Sequence, residues 1–218
     1  MSTEALPKRG RPRNIAAALQ RKDEILSSAS RVFAAQGYAE ARVDTVADEL
    51  DISKGTIYRY FNSKRELFVA TVDREMQRLT ESVTENQGSS DNPIDQISHA
   101  TSAYLGFFKE NPHAVELIMQ ERAAFPDLDP RIQSADDNPM LGPIRESILG
   151  LMDAGYYRKI PIDDLMETLS NLLYGTIMSN TLQREDIDLS TLSRNMLDVV
   201  LLGVTTAKAR EEWGLEEV

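Results

Sequence analysis

The chain has 218 residues, of which 41% are hydrophobic, 6% aromatic and 27% charged, a composition that buries a real core and does not suit a chain that stays unfolded. It contains no cysteine, which excludes disulfides, thiolate metal sites, cysteine nucleophiles and thiol redox sensing. The formal charge of −11 is unevenly spread: residues 1–65 carry 12 Lys/Arg against 8 Asp/Glu and the remainder 12 against 27, so only the N-terminal part offers a field that attracts phosphate.

Residues 1–20 contain Lys8, Arg9, Gly10, Arg11, Pro12 and Arg13, a basic stretch broken by Gly and Pro that does not fold alone and is expected to be a flexible arm. No apolar run follows it, so it is not a secretory signal, and the longest apolar stretch, Val199 to Val204, is far too short to span a bilayer. A soluble cytoplasmic protein with no membrane contact is expected. From Arg21 to Gln36 the apolar residues Ile25, Ala29, Val32 and Phe33 recur at helical spacing, and Gly37 is placed to stop that helix. A short second helix is expected from Val43 to Leu50, with Val43, Val46, Ala47 and Leu50 inward.

Asp51-Ile52-Ser53 then turns the chain into a segment starting at Lys54, for which Ser53 is the natural N-cap. Ile57 and Phe61 fall on one face of that segment, while Lys54, Thr56, Tyr58, Arg59 and Tyr60 spread over the rest. Gly55 costs about 1 kcal/mol against Ala inside a helix, and its missing side chain suits close approach by something outside. Helix, short helix, tight turn, helix is the helix-turn-helix arrangement, with the third helix offered to a DNA groove.

Ser63 followed by Glu66 is a capping-box pattern opening a fourth helix, whose apolar stripe is Leu67, Val72, Met76, Leu79 and Val83. It fades in the polar stretch from Glu85 to Asn92. Beyond it no segment alternates with period two, and prolines at 93, 112, 139 and 161 each open a periodic run. Helices are predicted over Pro93–Lys109, Pro112–Phe125, Met140–Ala154, Ile162–Gln183 and Leu189–Trp213. The expected fold is all-α: an N-terminal three-helix DNA-binding domain over residues 21–67, joined to a helical domain over residues 68–218 whose first part, 68–86, links the two.

Gly37-Tyr38, Val46-Ala47, Ile52-Ser53, Gly55-Thr56-Ile57-Tyr58, Tyr60-Phe61, Ser63-Lys64 and Leu67 together resemble the N-terminal domain of the TetR family of bacterial transcriptional repressors. The resemblance covers about Ile25 to Leu67. It implies a homodimer on a palindromic operator in double-stranded DNA, with a divergent C-terminal helical domain that binds a small effector and dimerises. It implies that Lys54, Thr56 and Tyr58 lie at the major groove, that Tyr60 and Lys64 hold phosphates, and that Arg42 and Thr45 add backbone contacts, with Gly55 and Arg59 on the same surface. Two positions depart from the family pattern. Asp51 stands where Gly is usual, and Arg42 stands where Thr or Ser often opens the second helix. Arg9-Gly10-Arg11-Pro12, with Arg13, resembles the core of an AT-hook, a minor-groove arm; a generic basic tail fits equally.

In the second domain, Tyr104, Phe107, Phe108, Met119, Met152, Tyr156, Tyr174 and Met178 are candidate lining for an adaptable apolar pocket, and the same residues also suit an ordinary bundle core. Leu165, Leu169 and Leu172 on one late helix, and Leu192, Met196, Val199, Val200 and Gly203 on the next, form stripes that suit an intersubunit four-helix bundle or an internal core. The function expected is that of a sequence-specific repressor released from DNA by a small molecule, with no cofactor and no metal. An activator or an effector-independent regulator is the alternative. A helical enzyme is poorly supported, since two histidines on different helices and no phosphate-binding Gly loop make no catalytic set.

Overall fold

The computed structural model describes residues 15–86, 93–128, 141–179 and 187–213. Arg9, Arg11 and Arg13 of the basic arm lie outside these, as do residues 180–186 at the end of one predicted helix. The described elements are α1 (Ile15–Glu40), α2 (Val43–Glu49), α3 (Lys54–Tyr58), α4 (Lys64–Asn86), α5 (Pro93–Glu110), α6 (Pro112–Ala124), α7 (Leu141–Asp153), α8 (Ile162–Met178), α9 (Leu189–Val204) and α10 (Ala207–Trp213). The described residues outside the helices form turns and irregular connections, with one isolated antiparallel bridge among them, between Tyr157 and Thr205. The chain divides into two compact units, Met1–Thr71 and Val72–Val218.

In the first unit, α1 starts at Ile15, inside the stretch expected as arm. Ala16, Ala17, Ala18, Leu19 and Gln20 are strong helix formers that extend the helix outward without packing, and Ile15 and Leu19 stay exposed. Gly37, at φ 78°, interrupts the helical backbone where the stop was expected, a conformation that costs glycine little. Beneath it Phe33, Tyr38 and Phe68 form an aromatic cluster: the Phe33 and Phe68 rings meet edge to face at 5.0 Å, and Tyr38 lies 4.9 Å from Phe68. Phe68 thus belongs to the first core, which is why the unit runs to Thr71 and not to residue 67. Glu49 ties α2 to α1 by accepting from Ser28 at 2.7 Å and Arg31 at 3.1 Å.

In the second unit the buried core runs through α5, α6, α7 and α8, with Leu105, Phe108, Ala114, Ile148 and Met166 among its members. Ser102 and Ser193 share a 2.9 Å hydrogen bond between α5 and α9. The single helix predicted over Leu189–Trp213 is two helices. Thr205 and Thr206 break it: Thr205 pairs with Tyr157, the Val204 carbonyl accepts from the Arg158 amide at 2.8 Å, and the Thr206 amide donates to the Tyr156 carbonyl at 2.9 Å. The Thr206 hydroxyl then caps α10 by accepting from the Ala209 amide at 3.3 Å. Periodicity did not register this break, because two β-branched residues disfavour helix only mildly by themselves.

Candidate nucleic-acid interface and interior cavity

The turn between α2 and α3 is built as its residues dictate. Asp51 takes φ 50°, the left-handed conformation that Asp tolerates better than most residues. The Ser53 hydroxyl accepts from the Thr56 amide at 3.2 Å and lies 3.0 Å from the Thr56 hydroxyl, capping α3. Ile57 and Phe61 are fully buried and hold α3 down from beneath. A Cβ on Gly55 would meet nothing nearer than Ser53 Oγ, at 3.8 Å. Packing inside the protein therefore gives no reason for glycine there.

The helix α3 so held exposes Lys54, Gly55, Tyr58 and Arg59, with Thr56 half-buried. Tyr58 is 40% exposed, so it is a surface aromatic and not a core one. Arg59 lies 5.6 Å above the half-buried Tyr60 ring. Arg42, the N-cap residue of α2, makes no side-chain cap bond and is exposed, and Thr45 sits half-buried one turn on. Lys64 is not simply presented outward: its ammonium donates to the Ala39 carbonyl at 2.9 Å and sits 5.0 Å over the Tyr38 ring. One of its three donors is thus committed to the fold. The capping pattern at α4 also differs from the expected reciprocal box. Ser63 accepts from the Glu66 amide at 3.0 Å, but the Glu66 carboxylate reaches back to Asn62, accepting from its backbone and side-chain amides at 2.8 Å each.

One residue on this surface was not assigned to it from the sequence. Asp44, in the first turn of α2, accepts from the Lys54 ammonium at 2.9 Å and lies 3.7 Å from Arg42. The hydrogen bond to Lys54 holds the Asp44 carboxyl below its usual range and raises the Lys54 ammonium above its own. Two of the expected DNA-facing cations therefore share one carboxylate. The signal that marks Asp44 is the helix-turn-helix geometry itself, which brings residues ten apart onto one surface.

The second unit holds a cavity of about 80 Å³. Val83 of α4, Ile97, Ala100, Thr101 and Tyr104 of α5, and Ile144 of α7 line it, with five residues of α8 and three of α9. Of the expected pocket residues, Tyr104 is the one in this lining. Phe107, Phe108 and Met152 are buried in the core, and Met178 is partly buried against it. Met119 is 47% exposed. The Tyr156 hydroxyl donates to Glu212 at 3.0 Å, and Tyr174 lies 5.5 Å beneath the Arg122 guanidinium. Phe107 and Phe108 pack against each other and Phe108 against Tyr104, and the cavity walls are mainly branched aliphatics beside Tyr104 and two methionines.

The expected dimer stripes divide in the same way. Leu165 is buried in the core of its own unit, Leu192 is partly buried against it, and Leu169, Leu172, Met196 and Val200 line the cavity. Val199, 74% exposed, with Leu172 at 39% and Gly203, keeps an outward apolar face on α8 and α9.

A capped, core-anchored helix presenting polar side chains after a tight turn defines a helix-turn-helix DNA-binding domain. Residues 25–71 match the model of a family described as bacterial regulatory proteins, tetR family. An HTH-type transcriptional activator, FasR of Mycolicibacterium smegmatis, is 29% identical over 101 residues, which are 46% of this chain and 46% of that protein. The fatty acid metabolism regulator protein of Bacillus subtilis is 20% identical over 190 residues, covering 83% of this chain and 94% of that one. Other curated relatives are named repressors. The chain spans less than half the length of the first curated relatives it matches. A TetR family transcription regulator from Marinobacter aquaeolei shares the fold, with a TM-score of 0.69 at 16% identity over 88% of this chain and 98% of that chain. The similar proteins are named as transcription regulators, which leaves the helical-enzyme alternative without support. Among the described residues no helix is long and apolar enough to cross a membrane.

Proposed function

We propose that the chain is a homodimeric transcription regulator that reads a palindromic operator through α3 and leaves it when a small molecule enters the second unit. The observation that carries the DNA reading is α3 itself: Ser53 caps it and Ile57 and Phe61 clamp it from below, while Lys54, Gly55, Tyr58 and Arg59 stay exposed. Rigid support leaves little ordering to lose on binding, so contacts to bases and phosphates appear as affinity. One such helix reads a half-site, and a two-fold partner supplies the other. The outward apolar face at Leu172, Val199 and Gly203 supports that partner being a second copy.

The release reading rests on α4, one continuous helix that holds Leu67 in the first core and Val83 in the cavity wall. A ligand that prefers one setting of α4, against an operator that prefers another, needs a coupling of only about 1–3 kcal/mol. The name of FasR favours a second reading, activation, and a promoter-reporter assay separates the two by the sign of its response.

Selection from a random duplex library tests the DNA reading. The wild-type chain enriches an inverted repeat, and a Tyr58→Ala, Arg59→Ala double variant, which touches only exposed side chains, loses that enrichment while keeping its thermal stability. Equal enrichment by both proteins, or no motif from the wild type, rejects α3 as the reading element.

A further inference from the structure

Of the cations expected to face DNA, Arg42, Lys54, Arg59 and Lys64 lie among the described residues, and the fold leaves them unequally free. Lys64 gives one donor to the Ala39 carbonyl, and Arg59 lies over the Tyr60 ring. Lys54 donates to Asp44 at 2.9 Å, and Arg42 lies 3.7 Å from the same carboxylate oxygen. Asp44 stands in the first turn of α2 and Lys54 opens α3, so the turn between the two helices brings anion and cation together. Asp44 thus engages Lys54 as a phosphate oxygen would. Its side chain is 40% exposed and that of Lys54 46%, so water screens the pair and it opens at small cost, a bias and not a lock. An ammonium has three donors, and with one on Asp44 two remain. A phosphate is bound through net positive charge, whereas a base edge is read by donors held in a fixed place. Asp44 removes the first and preserves the second.

We propose that Asp44 sets the specificity of the DNA surface: it is an internal counter-anion that withholds Lys54 and Arg42 from the phosphates of arbitrary duplex and leaves Lys54 its remaining donors for the base edges of a cognate site. Non-specific affinity comes essentially from phosphate neutralisation, so it is the quantity that Asp44 suppresses. On a cognate site Lys54 keeps its carboxylate partner and turns its other donors into the groove, so Asp44 costs less affinity there. The ratio of cognate to non-specific binding rises as a result, and that ratio decides whether a regulator finds its site among many competing ones. Discrimination in favour of a cognate site rests on α3 as the reading element, as proposed above, whereas suppression of non-specific binding needs only the charges.

Binding of the full-length chain to a mixed-sequence duplex is followed by fluorescence anisotropy across a salt series, beside binding to the inverted repeat that the wild type enriches. Asp44→Asn tightens mixed-sequence binding at least about threefold and steepens its logarithmic salt slope by about one. Affinity for the repeat rises less, so the ratio of the two falls. Asp48→Asn removes an equal charge one turn further along α2, from an exposed side chain, and leaves slope and ratio unchanged. In a Lys54→Gln background Asp44→Asn loses most of its effect, because the cation that it frees is gone. Asp44→Glu keeps the charge and keeps mixed-sequence binding weak, and thermal melts confirm that every variant is folded. Unchanged mixed-sequence binding in Asp44→Asn overturns the inference, as does an equal effect of Asp48→Asn or an equal gain on both duplexes. A wild type that enriches no repeat removes α3 as the reading element, and the mixed-sequence arm then still decides whether Asp44 withholds its cations from phosphate.

Discussion

The two units put their polar groups to opposite uses. The first closes an aromatic core at Phe33, Tyr38 and Phe68 and sends Lys54, Tyr58 and Arg59 outward, each backbone turn secured by a cap or a left-handed residue. The second leaves a space lined mostly by aliphatic side chains beside the Tyr104 ring, whose hydroxyl is buried with no hydrogen-bond partner among the described residues. A surface that must match a regular duplex gains from rigidity, whereas a site for a small apolar guest needs volume that the protein itself does not fill. Between them α4 contributes to both cores, and its buried Glu75 shows how the second unit satisfies a charge it does bury. That carboxylate lies 3.2 Å from Arg74, 2.7 Å from Arg78 and 3.6 Å from His113.

The contrast is most exposed to failure at Phe68. Phe68→Ala removes a fully buried ring shared with Phe33 and Tyr38 and is expected to cost about 3–5 kcal/mol, read by chemical denaturation. A cost below about 1 kcal/mol, the level of a surface change, contradicts a tightly closed first core. Glu75→Gln leaves two arginines facing a neutral amide. Because Arg78 is 41% exposed and water screens it, the expected loss is about 2 kcal/mol, smaller than for a fully enclosed pair. An unchanged melt shows that the cluster is already solvated.

Gly55→Ala separates fold from recognition. The new methyl meets only Ser53 Oγ at 3.8 Å, so the fold gains up to about 1 kcal/mol while operator affinity falls. A stabilised variant with undiminished DNA binding means that nothing approaches Gly55 closely. Asp44→Asn has the smallest effect on stability, since water screens an exposed pair, yet raises DNA affinity by freeing Lys54 and Arg42 for phosphate. The sign over pH follows from the lowered Asp44 carboxyl: its ion pair persists above the ordinary carboxylate range and is lost only as pH falls through the lowered value. The gain is therefore constant across neutral pH, and a gain that grows on raising pH through neutrality points to a different titrating group.

Much of the first unit could be read directly from residue order. Ile57 and Phe61 as anchors, Ser53 as cap, Gly37 as stop and Asp51 in the turn all appear where local rules put them, because each depends on neighbours within about one helical turn. The helices of the second unit were legible for the same reason. Their contents were not. Of the aromatic and Met residues expected around the cavity only Tyr104 lines it; Phe107 and Phe108 pack in the core, and the walls are mainly Leu, Ile and Val, with Met166 and Met196.

What the amino-acid order determined alone was therefore local: helical periods, caps, turns, the charge split and the DNA-reading motif, all governed by short-range sterics and hydrogen bonds. Tertiary structure alone decided which long-range partners meet. Asp44 joins Lys54 across a turn, Glu75 on α4 gathers His113 from α6, Thr205 breaks a helix by pairing with Tyr157, and the Tyr104 hydroxyl is buried without a partner among the described residues. Those outcomes depend on how whole helices pack, and close packing is a property of many side chains at once that no single periodicity encodes.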